Sequence, residues 1–183
     1  DKKDCGQFRR TNVVLRNSYS GEVSFKPPDF KEVPTLIEEF LNWLNSSEAR
    51  LSHPVIRAAI THYVLVAIHP FTEGNGRSAR AYASLILFSE NYDIKRFFSL
   101  EENFDRDSAS YFGGLMQVSN KSMDLEARDL TVWIEYFSSV LAIELARIKE
   151  KVKKLSVDLK LKSRLGKQIA LSARQMKLVE YLE

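Results

Sequence analysis

The sequence predicts a mainly α-helical fold, a helical bundle with one small β-hairpin near the N-terminus. Apolar residues recur at helical spacing through most of the chain from Thr35 onward, and β-prone runs stand ahead of Pro27 on either side of a turn-forming stretch. With 44% hydrophobic and 28% charged residues in 183, one globular domain with a proper core, or one domain and a small appendage, is expected.

The hairpin is read over residues 12–25. Val13, Val14 and Leu15 form one β-prone run, Val23 and Phe25 stand in a second, and Asn17 to Gly21 supplies turn chemistry between them. Pro27 and Pro28 then stop any strand, because proline has no N–H for a ladder. Thr35 with Glu38 makes a capping box ahead of Leu36, Ile37, Phe40, Leu41 and Leu44, which predicts the first helix. Residues 53–68 carry Pro54 in the first turn and are apolar almost all round, the pattern of a helix at the centre of a bundle. Residues 75–89 predict another helix, with Ala81, Leu85 and Phe88 along one stripe. Asp105 is expected to cap a helix running to about Asn120, and Asp129 to open a long one carrying Leu130, Trp133, Ile134, Phe137, Val140 and Leu141. Trp43 and Trp133 lie on these stripes and are expected in the core, while Gly113-Gly114 is expected to let helices approach closely. After Leu145 the lysine-rich text reads as a solvated helix end and linker, and Ser172 with Gln175 offers a last capping box.

Charge excludes little and favours little. Lysine plus arginine outnumber aspartate plus glutamate by 27 to 24, a net charge of +3 that is too small to argue for nucleic acid. Cys5 is the single cysteine, so no intrachain disulfide can form, and a reducing, cytoplasmic setting is expected. No apolar run approaches the ~20 residues that span a bilayer, and DKKDCGQFRR lacks the apolar core of a signal peptide. The sequence starts without a methionine, and a fragment of a longer protein is expected.

The chemistry is concentrated in His69 to Arg80, HPFTEGNGRSAR. A buried helix ends at a histidine, and Pro70 turns the chain out of helix. An acid, Glu73, is followed by Gly74, Asn75 and Gly76, then by a new helix. Such glycines let consecutive N–H groups point outward, and a nest at a helix N-terminus suits a phosphate. Arg77 and Arg80 share a face of the new helix and can both reach an anion. Glu73 beside a polyphosphate is suited to Mg²⁺, and His69 is a base that works near neutral pH. Each member alone is ordinary: a histidine at a helix end usually packs, Gly-Asn-Gly usually turns, and arginine pairs are usually solvated. Their conjunction within one short stretch describes phosphate chemistry. Zinc is disfavoured, because His53, His62 and His69 lack the i, i+4 spacing.

The same stretch resembles the signature of the Fic family in the Fic/Doc superfamily: His-Pro-Phe, any residue, Asp or Glu, Gly-Asn-Gly-Arg, two residues, Arg. Every defined position matches. GQFR at Gly6 to Arg9, the LNWLN helix, HPVIRAAITHYVLVAIHPF and YFGGL follow in the family's order, so the similarity covers roughly residues 6 to 140. The resemblance implies a protein adenylyltransferase that moves AMP from ATP to a Ser, Thr or Tyr hydroxyl of a target protein and releases pyrophosphate. By it, His69 takes the hydroxyl proton and Glu73 holds Mg²⁺. Gly74, Asn75 and Gly76 cradle the phosphates, Arg77 meets the β-phosphate and Arg80 the γ-phosphate. Phe71 faces the core and fixes the loop. Tyr111, Phe112 and Asn120 fall in the adenine pocket, and the 12–25 hairpin is the flap on which an extended target segment docks by strand pairing.

The family's inhibitory helix, Ser or Thr, three residues, Glu, then Gly or Asn, has no match here: Thr35 to Glu39 is followed by Phe40, and Ser18 to Glu22 by Val23. It is expected in a missing N-terminal segment or a separate protein, leaving Arg80 free in this chain. The expected domains are a catalytic core over residues 1–150 and, over 151–183, a basic linker with the start of a winged helix-turn-helix. LSARQMKLVEYLE suits that helix and a final packing helix equally, so DNA is expected as a partner only if the winged helix is completed. Two alternatives stand beside adenylyl transfer: transfer of UMP, a phosphocholine or a phosphate on the same fold, or an idle DNA-binding regulator.

Overall fold

The computed structural model describes residues 6–16, 21–92, 100–119 and 127–164. The chain divides into two compact units, residues 1–139 and 140–183. In order, the elements are β1 (Leu15–Arg16), β2 (Val23–Phe25), α1 (Val33–Asn45), α2 (Ser47–Leu51), α3 (Pro54–Ile68), α4 (Asn75–Ser89), α5 (Leu100–Arg106), α6 (Ser108–Ser119) and α7 (Thr131–Arg164). The fold is mainly α with one two-stranded antiparallel sheet, as the periodicity predicts.

The hairpin is shorter than its β-prone residues suggest. Leu15 pairs with Phe25 and Arg16 with Val23 across a bulge, while Val13 and Val14 stay outside the strand. The Asn12 side chain accounts for this: it accepts from the Phe30 amide and donates to Asp29, both at 2.9 Å, and so ties the chain before Val13 to the approach to α1. Of the turn expected over Asn17 to Gly21, residues 17–20 lie outside the described residues.

The capping box at Thr35 and Glu38 does not form. Helix α1 starts earlier, at Val33, with Pro34 in its first turn, where a missing N–H leaves nothing unsatisfied. Val33, Phe40, Leu65, Ile68 and Ala79 form a core between α1, α3 and α4, with Leu36, Ile37 and a half-buried Trp43 against it. Helix α3 is the centre of this core and packs closely along α4.

On α4 the expected stripe faces outward. Ala81, Leu85 and Phe88 are exposed, and the buried line is Ala79, Ala83 and Leu87. Small alanines let α3 and α4 approach closely, which places the larger residues on the far side. The single helix expected from Asp105 to Asn120 is two. Asp105 lies inside α5, the break comes at Asp107, and the Asp107 carboxylate accepts from the Ser110 amide at 3.1 Å as the cap of α6.

A second core is aromatic. Phe104 on α5, Tyr111 on α6, His62 and Tyr63 on α3, and Trp133 and Phe137 on α7 pack ring against ring. Trp133 is fully buried and its indole N–H donates to the Ala59 carbonyl at 2.7 Å. Gly114 belongs here too, since a Cβ on it would meet Trp133 at 3.5 Å and Tyr136 at 3.6 Å; Gly113 meets nothing within 4 Å. Asp129 accepts from the Thr131 amide at 2.9 Å, as expected for the start of α7. In the second unit α7 stays helical through the lysine-rich stretch to Arg164, where a linker was expected, with Lys153 and Lys154 exposed. The last capping box, Ser172 with Gln175, lies outside the described residues.

Candidate active site

The site begins where α3 ends. His69 caps α3 in the left-handed region, with φ 54° and ψ 57°, and Pro70 follows. A side chain there costs on the order of 1–2 kcal/mol, so the surroundings must hold it. Arg9 does so. Its Nε donates to the His69 carbonyl at 2.8 Å, one terminal nitrogen reaches the carbonyls of Pro28 at 2.6 Å and Ile68 at 3.4 Å, and its own amide donates to the Pro70 carbonyl at 2.8 Å. A buried guanidinium thus satisfies the open carbonyls at a helix C-terminus, where positive charge is favoured. Sequence reading assigned Arg9 no role. Its partners on α3 are 59 and 60 residues away, and no local pattern marks them.

The half-buried His69 ring has Nδ1 3.2 Å from the Val66 carbonyl. A carbonyl only accepts, so the ring proton sits on Nδ1 and Nε2 carries the free lone pair. Burial pulls the pKa below the usual histidine value; the Val66 bond opposes this and the Arg9 charge adds to it. The ring is therefore neutral and basic near neutral pH.

Between His69 and α4 the loop is held by Asn75. Its Nδ2 donates to the Phe71 carbonyl and its Oδ1 accepts from the Phe71 amide, both at 2.8 Å, and the residue is buried. Phe71 is half-buried and lies 6.2 Å from the Phe8 ring, so the loop is fixed through its backbone as well as its ring. Gly74, at φ 82°, takes a backbone that a larger residue would strain, and it starts α4 without a side-chain cap. The amides of Asn75, Gly76 and Arg77 precede the first intrahelical bond, from the Ser78 amide to the Gly74 carbonyl at 2.9 Å, and helix-start amides of this kind suit an anion. The Arg77 guanidinium lies back over Gly74 and that of Arg80 over Gly76, where added Cβ atoms would stand 3.4 and 3.1 Å from them.

A cavity of about 1120 Å³ opens beside this loop. Its walls are the hairpin (Leu15, Arg16, Val23, Phe25), the motif (His69, Gly76, Arg80) and α6 (Tyr111, Phe112, Met116). The structure thus brings His69, Gly76, Arg80, Tyr111 and Phe112 around one space. Glu73, Gly74, Asn75 and Arg77 lie on the adjoining loop and first turn of α4, and Asn120 lies outside the described residues. Phe112 offers a ring that is 58% exposed, while Tyr111 is 6% exposed and stacks on Phe104 at 4.5 Å. The Arg80 side chain donates to the Tyr111 phenol oxygen. Tyr63, also on the wall, accepts from Arg128 at 2.8 Å.

Glu73 is exposed, and among the described residues no group of three or more His, Cys, Asp or Glu side chains converges on a metal position. One exposed carboxylate beside a phosphate-binding turn suits Mg²⁺, which binds through one or two carboxylates plus phosphate oxygens and keeps several waters. It does not suit a metal caged by protein alone.

Comparison with known proteins agrees with this geometry. Residues 1–87 match the family model of the Fic/DOC family. Over 92 residues the chain is 41% identical to the protein adenylyltransferase Fic of Aedes aegypti, a match covering 50% of this chain and 17% of that protein. It is 40% identical over 92 residues to the protein of the same name from Drosophila grimshawi, covering 50% and 18%. The chain thus matches less than a fifth of the length of these curated relatives. Among solved structures, Fic-1 from C. elegans aligns with a TM-score of 0.62 at 25% identity, over 86% of this chain and 40% of that one. A Fic family protein from Desulfovibrio desulfuricans aligns with a TM-score of 0.66 at 21% identity, over 97% and 51%, a likeness of fold.

Proposed function

We propose that this chain, which matches the Fic/DOC family over residues 1–87, carries the catalytic core of a protein adenylyltransferase, moving AMP from ATP to a hydroxyl side chain of another protein. The observation that carries this reading is His69, on the cavity wall with its proton tied to the Val66 carbonyl and its Nε2 basic, followed at once by an anion-binding helix start. Nε2 takes the proton of the target's Ser, Thr or Tyr hydroxyl. The oxygen then bonds to the α-phosphorus of ATP as the bond to the bridging oxygen breaks and pyrophosphate leaves. The amides of Asn75, Gly76 and Arg77, with the charges of Arg77 and Arg80, stabilise the negative charge on the phosphates. Glu73 would hold Mg²⁺, which neutralises phosphate charge when bound. Phe112 and Tyr111, on the cavity wall, would meet the base, and Asn120 is assigned to it by the family resemblance alone. The hairpin, whose second strand lies against α6, presents an edge on which an extended target segment pairs, placing its hydroxyl over His69. An inhibitory helix, from an upstream segment or a separate protein, acts on this site through Arg80.

Labelling with ATP identifies the transferred group. With Mg²⁺ and a cell lysate as target source, label from the α-phosphate is expected on protein and label from the γ-phosphate is not. The reverse pattern would make the reaction a phosphorylation, and transfer from UTP in preference to ATP would replace AMP with UMP.

A further inference from the structure

Two unconnected features confine the Arg80 side chain. On one side stands the Tyr111 phenol, to which Arg80 donates. The Tyr111 ring is locked: stacked on Phe104 at 4.5 Å, and edge-on to His62 at 5.8 Å and Trp133 at 6.0 Å. On the other side lies Gly76, where a Cβ would sit 3.1 Å from Arg80 Nη1. Gly76 is not in the left-handed region, so its missing side chain provides space for the guanidinium and not a special backbone shape. Behind Tyr111, the buried His62 ring is held uncharged, so it places no second cation beside Arg80.

The geometry points to Tyr111 as a positioning residue, whose hydroxyl, opposite the bare Cα of Gly76, orients Arg80 before nucleotide arrives and so sets the preference for a triphosphate over a diphosphate. The inference rests on the reading above, in which Arg80 meets the γ-phosphate. An arginine left to itself loses rotamer freedom on meeting an anion, and one already confined has less to lose. The ring of Tyr111 is held by the aromatic core, and its oxygen reaches Arg80.

The test is equilibrium binding of ATP and of ADP, each with Mg²⁺, to the chain and to Tyr111→Phe, Arg80→Ala and the double variant, with circular dichroism as the check on folding. Tyr111→Phe keeps the ring and its stack. It is expected to weaken ATP about tenfold relative to ADP, the worth of a hydrogen bond to a charged group. Arg80→Ala should abolish the preference, and the double variant should bind no worse than Arg80→Ala alone. Gly76→Ala reaches Arg80 from the other side; it should reproduce the selective loss and decides the matter if Tyr111→Phe fails to fold. An unchanged ATP-to-ADP ratio in Tyr111→Phe, equal weakening of both nucleotides, or additive losses in the double variant would each overturn the inference while leaving the adenylyltransferase reading standing. A parent chain that binds neither nucleotide would overturn both.

Discussion

Asn75 and His69 show how single residues hold the site. Asn75 bonds both backbone groups of Phe71 from a buried position, so its first duty is to the loop. Asn75→Ala removes two bonds and leaves a buried donor and acceptor without partners, and a loss of about 2–3 kcal/mol in unfolding free energy is expected. Chemical denaturation checks this; an unchanged midpoint would mean the loop is held elsewhere. The base proposed at His69 would work only when neutral, and burial lowers its pKa. The acid limb of kcat/KM is therefore expected below the ordinary histidine value of about 6.5. A limb at or above that value would contradict the assignment. His62 adds a stability effect of the same sign. Its folded pKa is lowered to about 3, so the unfolded chain takes up a proton first as pH falls. The stability it contributes is fully present above about 6.5 and declines towards pH 3, by up to about 1.4 kcal/mol per unit.

At the scale of elements, α4 separates what periodicity reveals from what it hides. Its bounds follow from the glycines and the spacing, but its buried face does not, because both faces carry apolar residues. Close packing on α3 selects Ala79, Ala83 and Leu87, and leaves Tyr82, Leu85 and Phe88 outside. Leu87→Ala is expected to destabilise by about 2–5 kcal/mol, and Leu85→Ala by about 0.5 kcal/mol or less. Thermal melts of the pair decide it, and equal losses would return Leu85 to the core. The break at Asp107 was hidden for a related reason. Asp105 and Asp107 are equally good caps by type, and the packing of Phe104 against Tyr111 selects the second. Pro34 overrode the box at Thr35 because a proline in the first turn already fixes where the helix starts.

For the whole molecule, the site was legible as far as it is contiguous. His69 to Arg80 lie in one loop and one helix start, so their juxtaposition could be read from spacing alone. Arg9 could not, because it lies 60 residues from His69 in sequence and works through backbone carbonyls. Nor could the contact of Arg80 with Tyr111, a residue whose ring packs on Phe104 of α5 and Trp133 of α7. The hairpin, the end of α3 and the face of α6 meet around one space, and the proposed transfer to a protein hydroxyl would use all three walls. The direct test of that account is labelling from α-³²P ATP with Mg²⁺, comparing the chain with His69→Ala while following ATP binding in both. Label on protein that disappears in His69→Ala, with ATP still bound, is the expected result; label that persists in His69→Ala would contradict the account.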